Sequence, residues 1–179
     1  MRTRMSASSR PAVFLDRDGV LIEDCGYPHR EADLVLIPGA ARAIAAINAV
    51  GALAIIVTNQ SGVARGLFSL EQMEAFNTLL IETLASAGGR IDAVYACPFH
   101  AEAVDDRFRH PDHPDRKPNP GMILRAEQDH GVDLSRSLLI GDRESDLEAA
   151  RRAGMTGYLF TGGDLASFVD ARIASHFAA

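Results

Sequence analysis

The chain has no run of 18 apolar residues, so nothing in it reads as a membrane-spanning helix. It has only two cysteines, Cys25 and Cys97, far apart. That excludes a disulfide framework and makes a reducing, cytoplasmic setting the expectation. Nor is there an excess of basic residues: 18 Lys and Arg against 24 Asp and Glu give a formal net charge of −6. Such a balance argues against a broad nucleic-acid surface while leaving room for a local cationic pocket that takes a small anion. No internal repeat and no linker is visible, and a monomer is expected. The first ten residues are basic and Ser-rich, but the apolar run that follows is broken by Asp16, Arg17 and Asp18. A frayed tail over 1–10 is expected there, not a targeting peptide, with a single domain over 11–179.

What is present is an ordinary globular composition, 47% hydrophobic and 23% charged over 179 residues, enough for one sizeable core. Strand and helix patterns alternate. Val13 to Asp16 reads as a buried strand ending in an acid. A helix follows Pro38, with Ala40, Ala43, Ile44, Ile47 and Val50 on one stripe. "ALAIIVTNQSG" is a second buried strand, and Ser69 with Gln72 fits a capping box before the Met73, Phe76, Leu80, Leu84 stripe. "IDAVYACP" is a third strand. After a loop dense in His, Asp, Arg and Pro, Pro120 is expected to open the helix "GMILRAEQDHG". "SLLIGD" is a fourth strand, Ser145 is expected to cap "DLEAARRAG", "GYLF" is a fifth strand, and a last helix covers the segment from Asp164. This order predicts a doubly wound, Rossmann-like three-layer α/β/α fold with a parallel sheet of about five strands and no large cap domain.

In such sheets ligands bind beyond the carboxyl ends of the strands. Asp16, then Thr58 with Asn59, then Asp142 stand at three such ends, and Arg116 and Lys117 arrive from the loop before the fourth helix. Asp16 and Asp18, two apart on extended chain, point the same way and repel. A cation must compensate, or one carboxyl must hold a proton. Asp16, Asp18 and Asp142 offer oxygen ligands suited to Mg²⁺, while Lys117 and Thr58 offer groups for phosphoryl oxygens. One aspartate can attack phosphorus and the other can move the proton.

"FLDRDGVL", "VTNQSG", Lys117 in "DRKPNPGM" and "IGDRESD" together resemble the four motifs of the haloacid dehalogenase superfamily of phosphohydrolases, in order and over nearly the whole chain. The resemblance implies Asp16 as nucleophile, Asp18 as general acid/base, and Thr58 and Lys117 on the phosphoryl oxygens. It further implies Mg²⁺ on the Asp16 and Asp142 carboxylates and the Asp18 backbone carbonyl, with Asp146 orienting the metal's waters. "FLDRDGVLIEDCGYPH", "VTNQSGVARGLFS" and "RKPNPGM" are similar to the D-glycero-D-manno-heptose 1,7-bisphosphate phosphatase family, with the histidinol-phosphate phosphatases as close kin. Removal of a C7 phosphate from a small phosphorylated sugar, in making the heptose of lipopolysaccharide, is thereby implied. Asp24, Cys25, Gly26 and Tyr27, the segment Thr58, Asn59, Gln60 and Ser61, and Arg116 with Lys117 are implied as substrate contacts. Arg65 is a candidate for the distal phosphate, and Arg143 either meets substrate or balances Asp142.

Many relatives carry a zinc loop of Cys-x-His and Cys-x-Cys before the Arg-Lys pair. Here Cys97 is followed by Phe99 where the His is expected, and the later pair falls near His113 and Asp115. Cys97, His100, His110 and His113 could substitute as a zinc set; the competing expectation is a loop held by proline packing and hydrogen bonds. Outside the enzymes, a receiver-like phospho-acceptor module would use a similar acid, Thr and Lys constellation, but would have no task for Asp18.

Overall fold

The computed structural model describes residues 9–177. Five parallel strands, β1 (Ala12–Leu15), β2 (Leu53–Asn59), β3 (Ala93–Cys97), β4 (Leu138–Gly141) and β5 (Thr156–Leu159), form one sheet in the order β3-β2-β1-β4-β5. Alternation along β1 divides the core. Val13 and Leu15 face α1 (Ala40–Ala49), α3 (Leu70–Ser86) and α6 (Leu165–His176), whose Ile44, Ile47, Leu80, Leu84, Val169 and Ile173 share their cluster. Ala12 and Phe14 face the opposite layer, where Met122, Ile123 and Ala126 come from α4 (Gly121–His130) and Ala149 and Ala150 from α5 (Glu144–Arg152). A strand buried on both faces explains why β1 and β2 read as continuous apolar runs and not as alternation. The single turn α2 (Ser61–Ala64) follows β2 directly.

The chain lays down β1, β2 and β3 to one side, then returns to place β4 and β5 on the other. The order therefore reverses at β1, the position that generates a crevice at the carboxyl ends of β1 and β4. Among the described residues, the long connections at 16–39, between β1 and α1, and at 98–120, between β3 and α4, are loops with single short turns and contain no inserted domain. Among the described residues no helix is long and apolar enough to cross a membrane.

The capping box at α3 forms as expected, with the Ser69 hydroxyl accepting from Gln72 N at 3.2 Å and Gln72 Oε1 accepting from Ser69 N at 2.8 Å. Two other helix starts differ from expectation. Pro120 is the cap residue before α4, which begins at Gly121. Helix α5 begins at Glu144, so Ser145 lies inside it: the Asp146 carboxylate reaches back to accept from Arg143 N at 3.0 Å and fixes the start earlier. Val50 falls beyond the end of α1 and is exposed. Of the tail expected over 1–10, residues 1–8 lie outside the described residues. Arg10 pairs with Val132 and donates to the Gly51 carbonyl at 3.0 and 3.3 Å.

Candidate active site

β1 delivers Asp16 to the carboxyl edge of the sheet, where its N–H donates to the Ile140 carbonyl at 3.0 Å and its side chain is almost buried. Gly19, with φ +85°, lets the chain turn sharply after Asp18; a Cβ there would collide with the Asp142 carboxylate. Gly141 matters for space alone, since a Cβ there would run into the side chain of Asp146. The two glycines allow segments from β1 and β4 to bring their acids together. Asp16, Asp142 and Asp146 each offer an oxygen, and these lie within 4.8 Å of one another.

Lys117 is the only lysine in the chain and is 4% exposed. Its ammonium lies 2.9 Å from Asp16 Oδ1 and 2.5 Å from Asp146 Oδ1, and donates to the Val57 carbonyl at 2.8 Å. Burial opposes the charge, but Asp16 and Asp146 outweigh it and hold the Lys117 pKa above the usual lysine value. Asn59 fixes the lysine from the β2 side: its amide donates to the Lys117 carbonyl and accepts from the Lys117 N–H, both at 3.0 Å.

One ammonium does not balance three carboxylates. Burial, then Asp16 and Asp146, push the Asp142 pKa up to about 6, and burial raises that of Asp146 despite Lys117. Asp142 Oδ1 is buried without a hydrogen-bond partner. An all-oxygen donor set with surplus negative charge and an orphaned buried oxygen suits a hard divalent cation.

Thr58 is buried with its Oγ1 accepting from Gln60 Nε2 at 2.9 Å, which leaves its own O–H free to donate. Above this floor lies a cavity of about 370 Å³. Asp16, Asp18, Asp24, Gly26, Tyr27, Thr58, Asn59, Gln60, Ser61, Arg116, Lys117 and Arg143 all line it, as does Asp146. At the mouth, Arg143 Nη2 meets Asp24 Oδ2 at 3.0 Å, joining the segments after β4 and β1. Tyr27 holds φ 59°, unusual for a residue with a Cβ; Gly26 N–H donates to Asp24 Oδ1 and His29 Nδ1 lies 2.8 Å from the Tyr27 carbonyl. The His29 ring stacks on Phe68, with centroids 4.7 Å apart. Arg116 is half-buried, its pKa lowered by that burial, and it donates to the Phe99 carbonyl at 3.3 Å.

Several expected residues are placed elsewhere. Cys25 and Arg65 do not line the cavity. The Cys25 side chain belongs to an exposed turn, and Arg65 is turned toward His100 Nε2 and Glu102 Oε2, each at 3.3 Å. Cys97, His100, His110 and His113 do not form a ligand cluster; among the described residues the aspartate trio is the one such group. The three histidines are used locally. Their Nδ1 atoms accept from the N–H groups of Glu102, Asp112 and Asp115, and His113 stacks on Phe99 at 3.9 Å. Cys97 is fully buried in β3, and burial raises its pKa. Ser145 also lines the cavity, a position hidden in the sequence by its resemblance to a helix cap.

A family model described as HAD-hyrolase-like matches residues 115–172. The chain is 46% identical over 165 residues to a D-glycero-beta-D-manno-heptose-1,7-bisphosphate 7-phosphatase of Rhodopseudomonas palustris, covering 92% of this chain and 91% of that one. Among solved structures, a HAD-like phosphatase from Mesorhizobium loti superposes with a TM-score of 0.83 at 42% identity, covering 91% of this chain and 78% of the other. A D,D-heptose 1,7-bisphosphate phosphatase from B. bronchiseptica, complexed with magnesium and phosphate, gives 0.73 at 32% identity, covering 90% and 86%. Fold, acidic site and these matches define the class, a HAD-superfamily phosphohydrolase. Within it, the chain belongs to the family of D-glycero-D-manno-heptose-1,7-bisphosphate 7-phosphatases.

Proposed function

We propose that the chain hydrolyses the C7 phosphate of D-glycero-D-manno-heptose 1,7-bisphosphate with Mg²⁺, supplying heptose for lipopolysaccharide precursors. The observation that carries the substrate is the 46% identity, over 92% of this chain, to a relative named for that reaction. In the first step an Asp16 oxygen bonds to phosphorus. The bond from phosphorus to the sugar oxygen breaks, its electron pair stays on that oxygen, and Asp18 supplies the proton. In the second, water attacks the aspartyl-phosphate while Asp18 takes a proton from it. The electron pair of the breaking bond returns to the Asp16 carboxylate, and inorganic phosphate leaves.

The Thr58 hydroxyl and the Lys117 ammonium donate to the phosphoryl oxygens, where charge is spread throughout transfer. Asp16 and Asp142, with the Asp18 backbone carbonyl, would hold Mg²⁺, and Asp146 would orient its waters while fixing Lys117. The ion supplies positive charge for the phosphoryl group and for the crowded carboxylates. Asp24, Gly26 and Tyr27, with Asn59, Gln60 and Ser61, frame the sugar. Arg116 and Arg143, the latter also paired with Asp24, are the cations at the cavity wall that would meet the distal phosphate, since Arg65 is turned away.

Specificity constants on the α and β anomers of heptose 1,7-bisphosphate and on histidinol phosphate test this reading. A heptose bisphosphate should be preferred by at least about tenfold, which is some 1.4 kcal/mol. Preference for histidinol phosphate overturns the substrate. Labelling by a phosphodonor at single stoichiometry without turnover overturns the enzymatic reading itself.

A further inference from the structure

Arg17, between the two aspartates of the first motif, is completely buried. A guanidinium is kept out of water only where partners replace its hydration, so its contacts reveal what it is there to do. Nε donates to Asp18 Oδ1 at 2.6 Å and Nη2 to Asp18 Oδ2 at 3.1 Å, a two-point grip on one carboxylate. Nη1 donates to Asn77 Oδ1 at 2.9 Å, and Nη2 also approaches the Pro28 carbonyl and Gln60 Oε1, both at 3.0 Å. The guanidinium carbon lies 4.8 Å from the centre of the Phe76 ring. Gln60 closes the circuit, donating from Nε2 to Asp18 Oδ2 at 3.1 Å and to Thr58 Oγ1 at 2.9 Å.

A carboxylate has about four lone-pair positions. On Asp18, Oδ2 accepts two hydrogen bonds and Oδ1 one, which leaves Oδ1 with a position for a proton in transfer. Both donors are anchored in rigid places: Arg17 by Asn77, which accepts from it, and by the Phe76 ring, both in α3, and Gln60 by directly following β2. We infer that Arg17, with Gln60, is a positioning residue for proton transfer, fixing the Asp18 carboxylate so that one oxygen faces the sugar oxygen as it leaves. On this assignment Gln60, 2% exposed and engaged at both ends of its amide, serves Asp18 and Thr58 before it serves the substrate. The inference rests on Asp18 being the general acid.

The test compares kcat/KM, which reports the step in which the leaving group departs, for heptose bisphosphate and for 4-nitrophenyl phosphate. The nitrophenolate leaves without a proton, whereas the sugar alkoxide does not. The ratio of the two constants is independent of the fraction of enzyme correctly folded, so a destabilised variant remains informative. Asp18→Asn should lower the heptose constant about 10²- to 10⁴-fold more than the aryl constant, the range of general acid catalysis. Arg17→Met and Gln60→Leu should shift the ratio in the same direction, by about tenfold or more for Arg17→Met, and Arg17→Lys should recover part of it. In an Asp18→Asn background Arg17→Met should shift the ratio no further. Equal losses on both substrates in the Arg17 and Gln60 variants, with Asp18→Asn still selective, would reduce Arg17 to a structural buried charge and overturn the inference. If Asp18→Asn is itself unselective, the general-acid reading has failed instead.

Discussion

The cavity floor and the loop over 98–115 are both dense in ionisable side chains, yet their polar atoms are partnered in opposite ways. On the floor, the hydrogen-bonded groups reach distant segments: Lys117 is held by Val57, Asp16 and Asp146, its backbone by Asn59, and Asp18 by Gln60 as well as its neighbour Arg17. In the loop, His100, His110, His113, Asp105 and Asp106 are partnered mainly within two or three residues. Long-range partners in a buried setting create an assembly that fails as a unit. Local partners on a surface create a shape that can lose a member at small cost. Substitutions in the two regions should separate along that line.

The largest effect is expected for Asp16→Asn. Turnover of heptose bisphosphate should fall at least about 10³-fold, as for other nucleophile replacements, with an unchanged circular dichroism spectrum. Lys117→Met should combine a kinetic loss of about 10²-fold or more with a loss of stability. It leaves Asp16 and Asp146 buried without their counter-charge, a situation worth about 3–5 kcal/mol, measurable by urea unfolding in EDTA. A Lys117→Met protein as stable as the parent would show that the floor is not a coupled unit.

Metal should act on the same unit next. Chelation should abolish turnover and Mg²⁺ should restore it, and the stabilisation by Mg²⁺ should depend on pH. The pKa of Asp142 is pushed up to about 6 from an ordinary value near 3.8, so without metal the folded state binds more protons than the unfolded one. The contribution of Asp142 to the stability of the metal-free protein therefore falls as pH rises from about 4 to about 6, because the ionised trio repels itself. A cation competes with that proton. The rise in melting temperature on adding Mg²⁺ should be greater at pH 7 than at pH 5; an equal rise would place the ion away from Asp142.

The contrast also explains what could be read in the sequence. Strands and helices were legible because β1 and β2 are uninterrupted apolar runs and Ser69 with Gln72 announces α3. The floor was legible because its acids stand at strand ends. The three side chains that brace it were not. Gln60 and Asn59 carry no sign that their amides face Asp18, Thr58 and the Lys117 backbone, and nothing in the sequence marks Arg17 as a charge that packs beneath α3. Asp146 pairing with Lys117 spans two motifs, and only the fold closes that gap; the solitary lysine was the available hint. In the loop, the Cys and His set offered in place of the family's zinc ligands is not gathered: the three rings accept from backbone two residues ahead, and His113 stacks on Phe99.

The smallest effects belong to that loop. Each histidine contributes a neutral hydrogen bond worth about 1 kcal/mol, so His110→Ala should cost about that much stability and leave kcat/KM within about twofold. His113→Ala also loses its stack on Phe99 and should cost somewhat more. Acid should loosen the loop in the same direction. The pKa values of His100 and His113 are lowered, chiefly by burial, with neighbouring arginines adding to it. Each Nδ1 can accept its backbone N–H only while unprotonated. A lowered folded value means that stabilisation is complete above the ordinary histidine pKa near 6.5 and is lost as pH falls through the lower folded one. Protection factors of the Glu102 and Asp115 amides should therefore drop between pH 7 and pH 5, while the Asp16 amide, bonded to Ile140, keeps its protection. Parallel loss at both places would mean that the loop and the floor are one cooperative unit, and the division drawn between them would be wrong.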